Sequence, residues 1–262
     1  MRDGHIHTPY CPHGTKDPLV NYIERAIELG YREISFTEHA PLPSNFVDTT
    51  PTADSAISIH LLEDYLHEVE EYKHFYRQTI KVNVGLEVDF IEGFEEEIKQ
   101  FLNEVGPRLD DAILSVHFLK NNTNYYCLDY SPDMFESMIH EFGSIDHIYR
   151  KYFQTLLLSI TSDLGIFKPK RIGHMTLIKK FHKKFPATER FENQILNILT
   201  AIKEKEYELD YNGAGTAKPL CREPYPPLWI INEVKRLQIP LVYGSDAHQV
   251  KDLNQGRELM AE

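Results

Sequence analysis

Seven times along the chain, a short stretch of strand character is followed by a helical stripe, and this alternation limits the possible folds more than any other feature. The first strand ends near His7, and "DPLVNYIERAIELG" reads as a helix with Asp17 as N-cap, Pro18 as first helical residue and Gly30 at its close. "REISFTEH" is the second strand, and "AISIHLLEDYLHEVEEYKHFYRQ" a long helix. In the third strand, "IKVNVGLEVDF", Val82, Val84, Leu86 and Val88 alternate, and a charged helix starts near Phe94. "DAILSVH", "RIGHM", "YELDYN" and "PLVYGSDAH" supply strands four to seven. The helices between them are "IDHIYRKYFQTLLLSITSDLG", a segment from about Glu189 to Lys205, and "PPLWIINEVKRLQ". Regular alternation implies parallel strands joined by helical crossovers. Seven such units in 262 residues fit one domain, 1–262, built as a barrel related to the eight-stranded α/β barrel. A doubly wound open sheet is the alternative. No linker, low-complexity segment or internal repeat calls for a second domain.

Charge and composition narrow the function classes. Forty acidic residues against 28 basic ones give a formal net charge of −12, which disfavours a long nucleic acid as partner. No segment approaches the roughly 18 apolar residues of a membrane span. The first strand is polar and begins at once, so no signal peptide is expected. Cys11, Cys127 and Cys221 are far apart and form no CxxC pair, which points to a reducing cytoplasm. The oligomeric state is not legible.

The polar residues capable of binding metal fall at strand ends. His5 and His7 are two apart in the first strand, so their side chains share a face. Glu38 and His39 end strand two, Glu87 and Asp89 strand three, His117 strand four, His174 strand five, and Asp246 and His248 strand seven, while His13 follows strand one in a loop. In a barrel of this type the C-terminal strand ends form one mouth. Each residue alone is unremarkable: a lone strand histidine is more often a satisfied polar group than a ligand. Their joint placement points to a metal cluster. His60, His67 and His74 recur every seven residues along a helix, too far apart to share an ion, and read as a solvated face. His140, His147 and His182 carry no assigned chemistry. Cys11, two residues before His13, is either a thiolate ligand or a packed loop residue.

In order, spacing and strand position, "DGHIHT", "PHG", "TEHAP", "GLEVDF", "SVH", "IGHM" and "GSDAH" resemble the polymerase and histidinol phosphatase (PHP) superfamily, from Asp3 to about His248. "HTPYCPHGT" and "TEHAPLP" resemble its stand-alone histidinol-phosphate phosphatases. The resemblance implies a distorted seven-stranded (β/α)7 TIM-like barrel with three divalent metal ions, zinc, iron or manganese. It implies His5, His7, Glu87 and Asp246 at the first ion, Glu87 as a bridge with His117 and His174 at the second, and His13, His39 and His248 at the third. Imidazoles suit these metals and a carboxylate can bridge two of them. Glu38 and Asp89 read as partners that orient ligand imidazoles, or as packing and capping groups.

The implied reaction is hydrolysis of a small phosphate monoester, L-histidinol phosphate, by hydroxide formed on a metal whose bound water has its pKa lowered from 15.7 to about 7. Asp246 or His248 would relay a proton. Lys179, Lys180, Lys218 and Arg222, on loops after strands five and six, are candidate phosphate contacts, with Lys180, Lys218 and Arg222 preferred. Segments from Asn121 to Asp133 and from Asn212 to Pro227 would close over the substrate, bringing Tyr125, Tyr126 and Tyr225 toward its imidazole. Where these phosphatases usually carry "NTAG", this chain has "NGAG" from Asn212. Two alternatives stay open: a phosphodiesterase or exonuclease acting on nucleotides, and a non-catalytic metal-binding module.

Overall fold

The computed structural model describes residues 1–260. Its main sheet holds seven parallel strands: β1 (Arg2–Ile6), β2 (Glu33–His39), β3 (Lys81–Asp89), β4 (Asp111–Ser115), then β7 (Arg171–Ile172), β8 (Glu208–Asn212) and β9 (Leu241–Gly244). Every pair is parallel, as helical crossovers require. The ring closes through an Ile6–Ala247 bridge, where the Asp246 N–H donates to His5 O at 2.7 Å and the His7 N–H to Ala247 O at 3.0 Å. The seven-stranded barrel expectation therefore holds, and the open-sheet alternative fails.

The crossovers are α1 (Leu19–Glu28), α2 (Leu62–Tyr76), α3 (Glu95–Val105), α5 (Ile145–Thr161), α6 (Glu192–Glu204) and α8 (Leu228–Arg236). A one-turn helix, α7 (Ala214–Ala217), follows β8. In α1, Leu19, Tyr22, Ile23 and Ala26 form the buried stripe, and Gly30 turns the chain with φ +80°. The cap differs from expectation. The helix begins at Leu19 with no side-chain cap, because the Asp17 carboxylate instead accepts from the Thr15 hydroxyl at 2.8 Å and the Val250 N–H at 3.0 Å. Ser144 does cap α5, accepting from the His147 N–H.

Between β4 and α5 lie three elements that the sequence reading passed over: the antiparallel hairpin β5 (Phe118–Asn121) and β6 (Asn124–Cys127), and α4 (Pro132–Phe142). The segment expected to be a closing loop is thus mostly hairpin. At the opposite end of the barrel Arg171 is fully buried, donating to Gly4 O at 2.8 Å and to Asp111 at 2.7 Å. That plug leaves the C-terminal strand ends as the open face.

Candidate metal centre

At that face seven imidazoles and two carboxylates converge. Glu87, buried near the end of β3, is the hub. Its Oε1 accepts from the Ser115 hydroxyl at 2.6 Å and faces His174 Nε2 at 2.9 Å and His117 Nε2 at 3.9 Å. Its Oε2 faces His5 Nε2 at 3.4 Å, His7 Nε2 at 3.5 Å and His39 Nδ1 at 3.1 Å. Asp246 Oδ1 closes the group, 3.2 Å from His7 Nε2 and 3.9 Å from His5 Nε2. The pleat explains the pairing of His5 with His7, and parallel register places His39 opposite Glu87.

Most of these rings are tied at the far nitrogen. His5 Nδ1 meets Asp210 at 2.9 Å, His7 Nδ1 meets Glu38 at 3.1 Å and His117 Nδ1 meets Asp89 at 2.7 Å. Carboxylates only accept, so each Nδ1 carries the hydrogen and each neutral ring presents a bare Nε2 inward. His13 Nδ1 donates to Asp54 O at 2.7 Å and His248 Nδ1 to Asp246 O at 3.1 Å. Their Nε2 atoms then face each other at 3.1 Å as two lone pairs, an arrangement that calls for a cation between them. His5 Nε2, His7 Nε2, His39 Nδ1 and Glu87 Oε2 are buried without a hydrogen-bond partner. The residues present thus fit divalent cations, in nitrogen and oxygen donors suited to zinc, iron or manganese.

Without a cation the same site holds protons. Burial pulls the His7 ring down, but the Asp246 and Glu38 carboxylates beside it outweigh that and push it up to about 9. His117, likewise buried, is pushed up to about 10 by Asp89 and Glu87. Burial works against the Glu87 and Asp246 charges, yet the surrounding imidazoles hold both carboxyls well below their usual range. His39 and His248 are driven well below the imidazole range by burial and by His7 beside them.

A cavity of about 370 Å³ opens above the cluster, with His13, His39, Glu87, His117, His174, Asp246 and His248 on its floor. Lys180 and Lys218 stand in its wall with Tyr225. Lys180 pairs with Asp129 at 2.8 Å, whereas Lys218 is exposed and carries no ion pair among the described residues. Arg222 is exposed and does not line the cavity, and Lys179 is turned away to pair with Glu223. The Tyr125 hydroxyl donates to Glu92 O and the Tyr126 hydroxyl to Glu141, so both side chains are spent on packing and neither lines the cavity.

Cys11 is fully buried with its sulfur within 4.8 Å of nitrogens of His7, His39 and His248; burial and the nearby Glu38 charge push its thiol up. His182, Cys221 and Glu223 form a separate cluster, already satisfied by the Lys179–Glu223 pair and by a His182–Cys221 O bond at 3.1 Å. His60, His67, His74, His140 and His147 are exposed on helices.

Three site residues escaped the sequence reading, Asp210, Asp129 and Ser115, and Asn212 entered it only as the start of "NGAG" and of a closing segment. Asp210 and Asn212 sit two apart on β8, facing inward, a spacing signal like that of His5 and His7. Asn212 Nδ2 donates to Asp210 and Asp246 at 3.1 Å each.

A PHP domain family model matches residues 3–214. Over 263 aligned residues the chain is 47% identical to the histidinol-phosphatase of Bacillus subtilis (strain 168), covering 100% of this chain and 98% of that protein. A crystal structure of a candidate histidinol phosphatase from Listeria monocytogenes superposes with a TM-score of 0.96 at 37% identity, all of both chains being covered. The Lactococcus lactis histidinol phosphate phosphatase, solved with zinc, L-histidinol and phosphate, superposes with a TM-score of 0.69 at 21% identity, covering 98% of this chain and 91% of that one.

Proposed function

This chain belongs to the PHP domain family, and from that membership we propose that it is a metal-dependent phosphomonoesterase, a histidinol-phosphatase hydrolysing L-histidinol phosphate to L-histidinol and phosphate in histidine biosynthesis. The observation that carries the reading is the set of bare imidazole nitrogens around Glu87 on the floor of a cavity with lysines in its wall. We take residues 1–262 as one domain and assign three ions to it. His5, His7, Glu87 and Asp246 would hold the first, Glu87, His117 and His174 the second, and His13, His39 and His248 the third. Divalent cations, when bound, polarise phosphoryl oxygens and supply hydroxide at neutral pH.

The chain's own residues do the rest. Glu87, with both oxygens engaged, sets the spacing between the two inner sites. Asp210, Glu38 and Asp89 hold the ligand rings in the required tautomer. Lys180 and Lys218 offer positive charge to the phosphate, while Arg222 would reach it only if its loop moved. Asp246, with Oδ2 on Asn212, and the neighbouring partly exposed His248 are the groups we assign to proton relay; their surroundings disfavour a resident extra proton on either, so each would take one up before passing it on. Among the described residues no helix is long and apolar enough to cross a membrane. Three unpaired, buried cysteines support a cytoplasmic setting.

The test is phosphate release from L-histidinol phosphate by purified protein, stripped and then reloaded with zinc, iron or manganese, alongside elemental analysis. About three ions per chain with metal-dependent turnover is the expected result. One ion or none in an active preparation would sink the trinuclear assignment, and a nucleotide diester hydrolysed faster than the monoester would favour the phosphodiesterase alternative.

A further inference from the structure

His13 differs from the other proposed ligands. It is exposed, it lies in a loop, and its ring direction depends on one hydrogen bond, from Nδ1 to the backbone carbonyl of Asp54 at 2.7 Å. That carbonyl comes from a different crossover, the long loop between β2 and α2. A carbonyl at a loop tip can direct a neighbouring imidazole only if the loop itself has one shape. Here the shape is set by Asp48. Its Oδ1 accepts from the Thr50 N–H and hydroxyl at 2.9 Å each, and its Oδ2 from the Ser55 N–H at 3.0 Å and hydroxyl at 2.7 Å. The carboxylate therefore clamps both ends of a six-residue turn. Inside it Ala53 adopts a left-handed φ of +50°, a conformation costly for alanine. The Asp54 N–H donates to Thr50 Oγ1 at 3.2 Å, which fixes the peptide on the near side of the carbonyl. Asp48 itself does not line the cavity.

We propose that Asp48 is a positioning residue for the third cation site, acting through the Asp54 carbonyl to aim His13 Nε2 at His248 Nε2. The inference rests on the trinuclear reading above. The two inner sites are built from buried strand-end residues and do not depend on this loop. Loss of the clamp should therefore weaken one ion and spare two.

The experiment is equilibrium dialysis of the full-length protein against graded free zinc, with elemental analysis of ions per chain. Wild type should bind three. Asp48→Ala should keep two ions at wild-type affinity and bind the third about 10–100-fold more weakly, the usual effect of removing a group that orients a metal ligand. Asp48→Asn should fall between, since one carbonyl oxygen can keep the Thr50 bonds while the Ser55 acceptor is lost. Asp54→Ala retains the backbone carbonyl and should keep the third ion. Zinc binding of Asp48→Ala that superimposes on wild type overturns the proposal, as does an equal loss of all three ions in a folded variant. Should Asp48→Ala fail to fold, Thr50→Val and Ser55→Ala carry the same expectation, and full third-ion binding in both overturns it. A wild-type chain with only two ions overturns the trinuclear reading itself, and is seen before any variant is made.

Discussion

Glu87 carries more of the site than any other residue, because both of its oxygens face imidazoles and one of them has no hydrogen-bond donor of its own. Replacing it with glutamine keeps the shape and removes the charge that offsets two cations. Glu87→Gln should abolish turnover while circular dichroism stays native, and activity within tenfold of wild type would show that it is not a bridge. Protons and metal ions compete for the same rings, which gives a second prediction. In the stripped protein His7 and His117 have folded pKa values raised to about 9 and about 10, above the ordinary imidazole value of about 6.5. A raised pKa contributes stability in full below the unfolded value and loses it as pH rises through the folded one. The melting temperature of stripped protein should therefore fall as pH rises from about 6.5 to about 10, and zinc uptake at pH 7 should release protons. A flat melting profile to pH 11 would contradict this. At this scale the residues that converge on Glu87 were legible because HxH, strand ends and carboxylates declare themselves by spacing. Asp210 was not, since an aspartate inside a strand is ordinary until the barrel closes and brings it 2.9 Å from His5, 205 positions away. Lys180 was legible as a basic residue, but its half-buried partner Asp129 depends on a hairpin whose position no local pattern reveals.

The strands and most helices could be read from alternation and helical stripes, because burial against a continuous core imposes those periods. The hairpin of β5 and β6 was missed although Asn122, at φ +55°, turns it through a residue type that favours the left-handed region. Its four-residue strands are too short to show a period. The helix α4 carried signals that the sequence reading left unassigned: Ser131 caps it, Pro132 opens it and Gly143, at φ +82°, ends it. Boundaries shifted where tertiary contacts intervened, as when Asp17 left the end of α1 to bind Val250. The closeness of β9 to β1 makes a prediction about these elements. A Cβ on Gly244 would lie 2.6 Å from His5 Cβ and press on the Asp210 carboxylate. Gly244→Ala should cost about 1–3 kcal/mol, read as a melting temperature lowered by roughly 2–4 °C per kcal/mol, and should weaken metal binding at His5. An unchanged melting temperature with full metal content would mean that the strands separate at no cost.

Taken as a whole, the molecule keeps its two ends for different tasks. Arg171 plugs one end of the barrel, while the other gathers imidazoles and carboxylates suited to metal from six of its strands and the loop after the first under a cavity of about 370 Å³. The acidic balance, −12 overall, is consistent with a chain that takes up cations and a small substrate rather than a polyanion. A metal cluster by itself recognises only phosphate, so any preference for one monoester must come from the cavity wall. Polar groups there that one substrate satisfies and another leaves unpaired can discriminate strongly. The most direct measurement is kcat/KM for L-histidinol phosphate, serine phosphate and p-nitrophenyl phosphate, side by side, on the same metal-loaded preparation. A value for L-histidinol phosphate at least about 100-fold above the other two is the expected result; comparable values on all three would leave a general metal phosphatase and contradict the biosynthetic role.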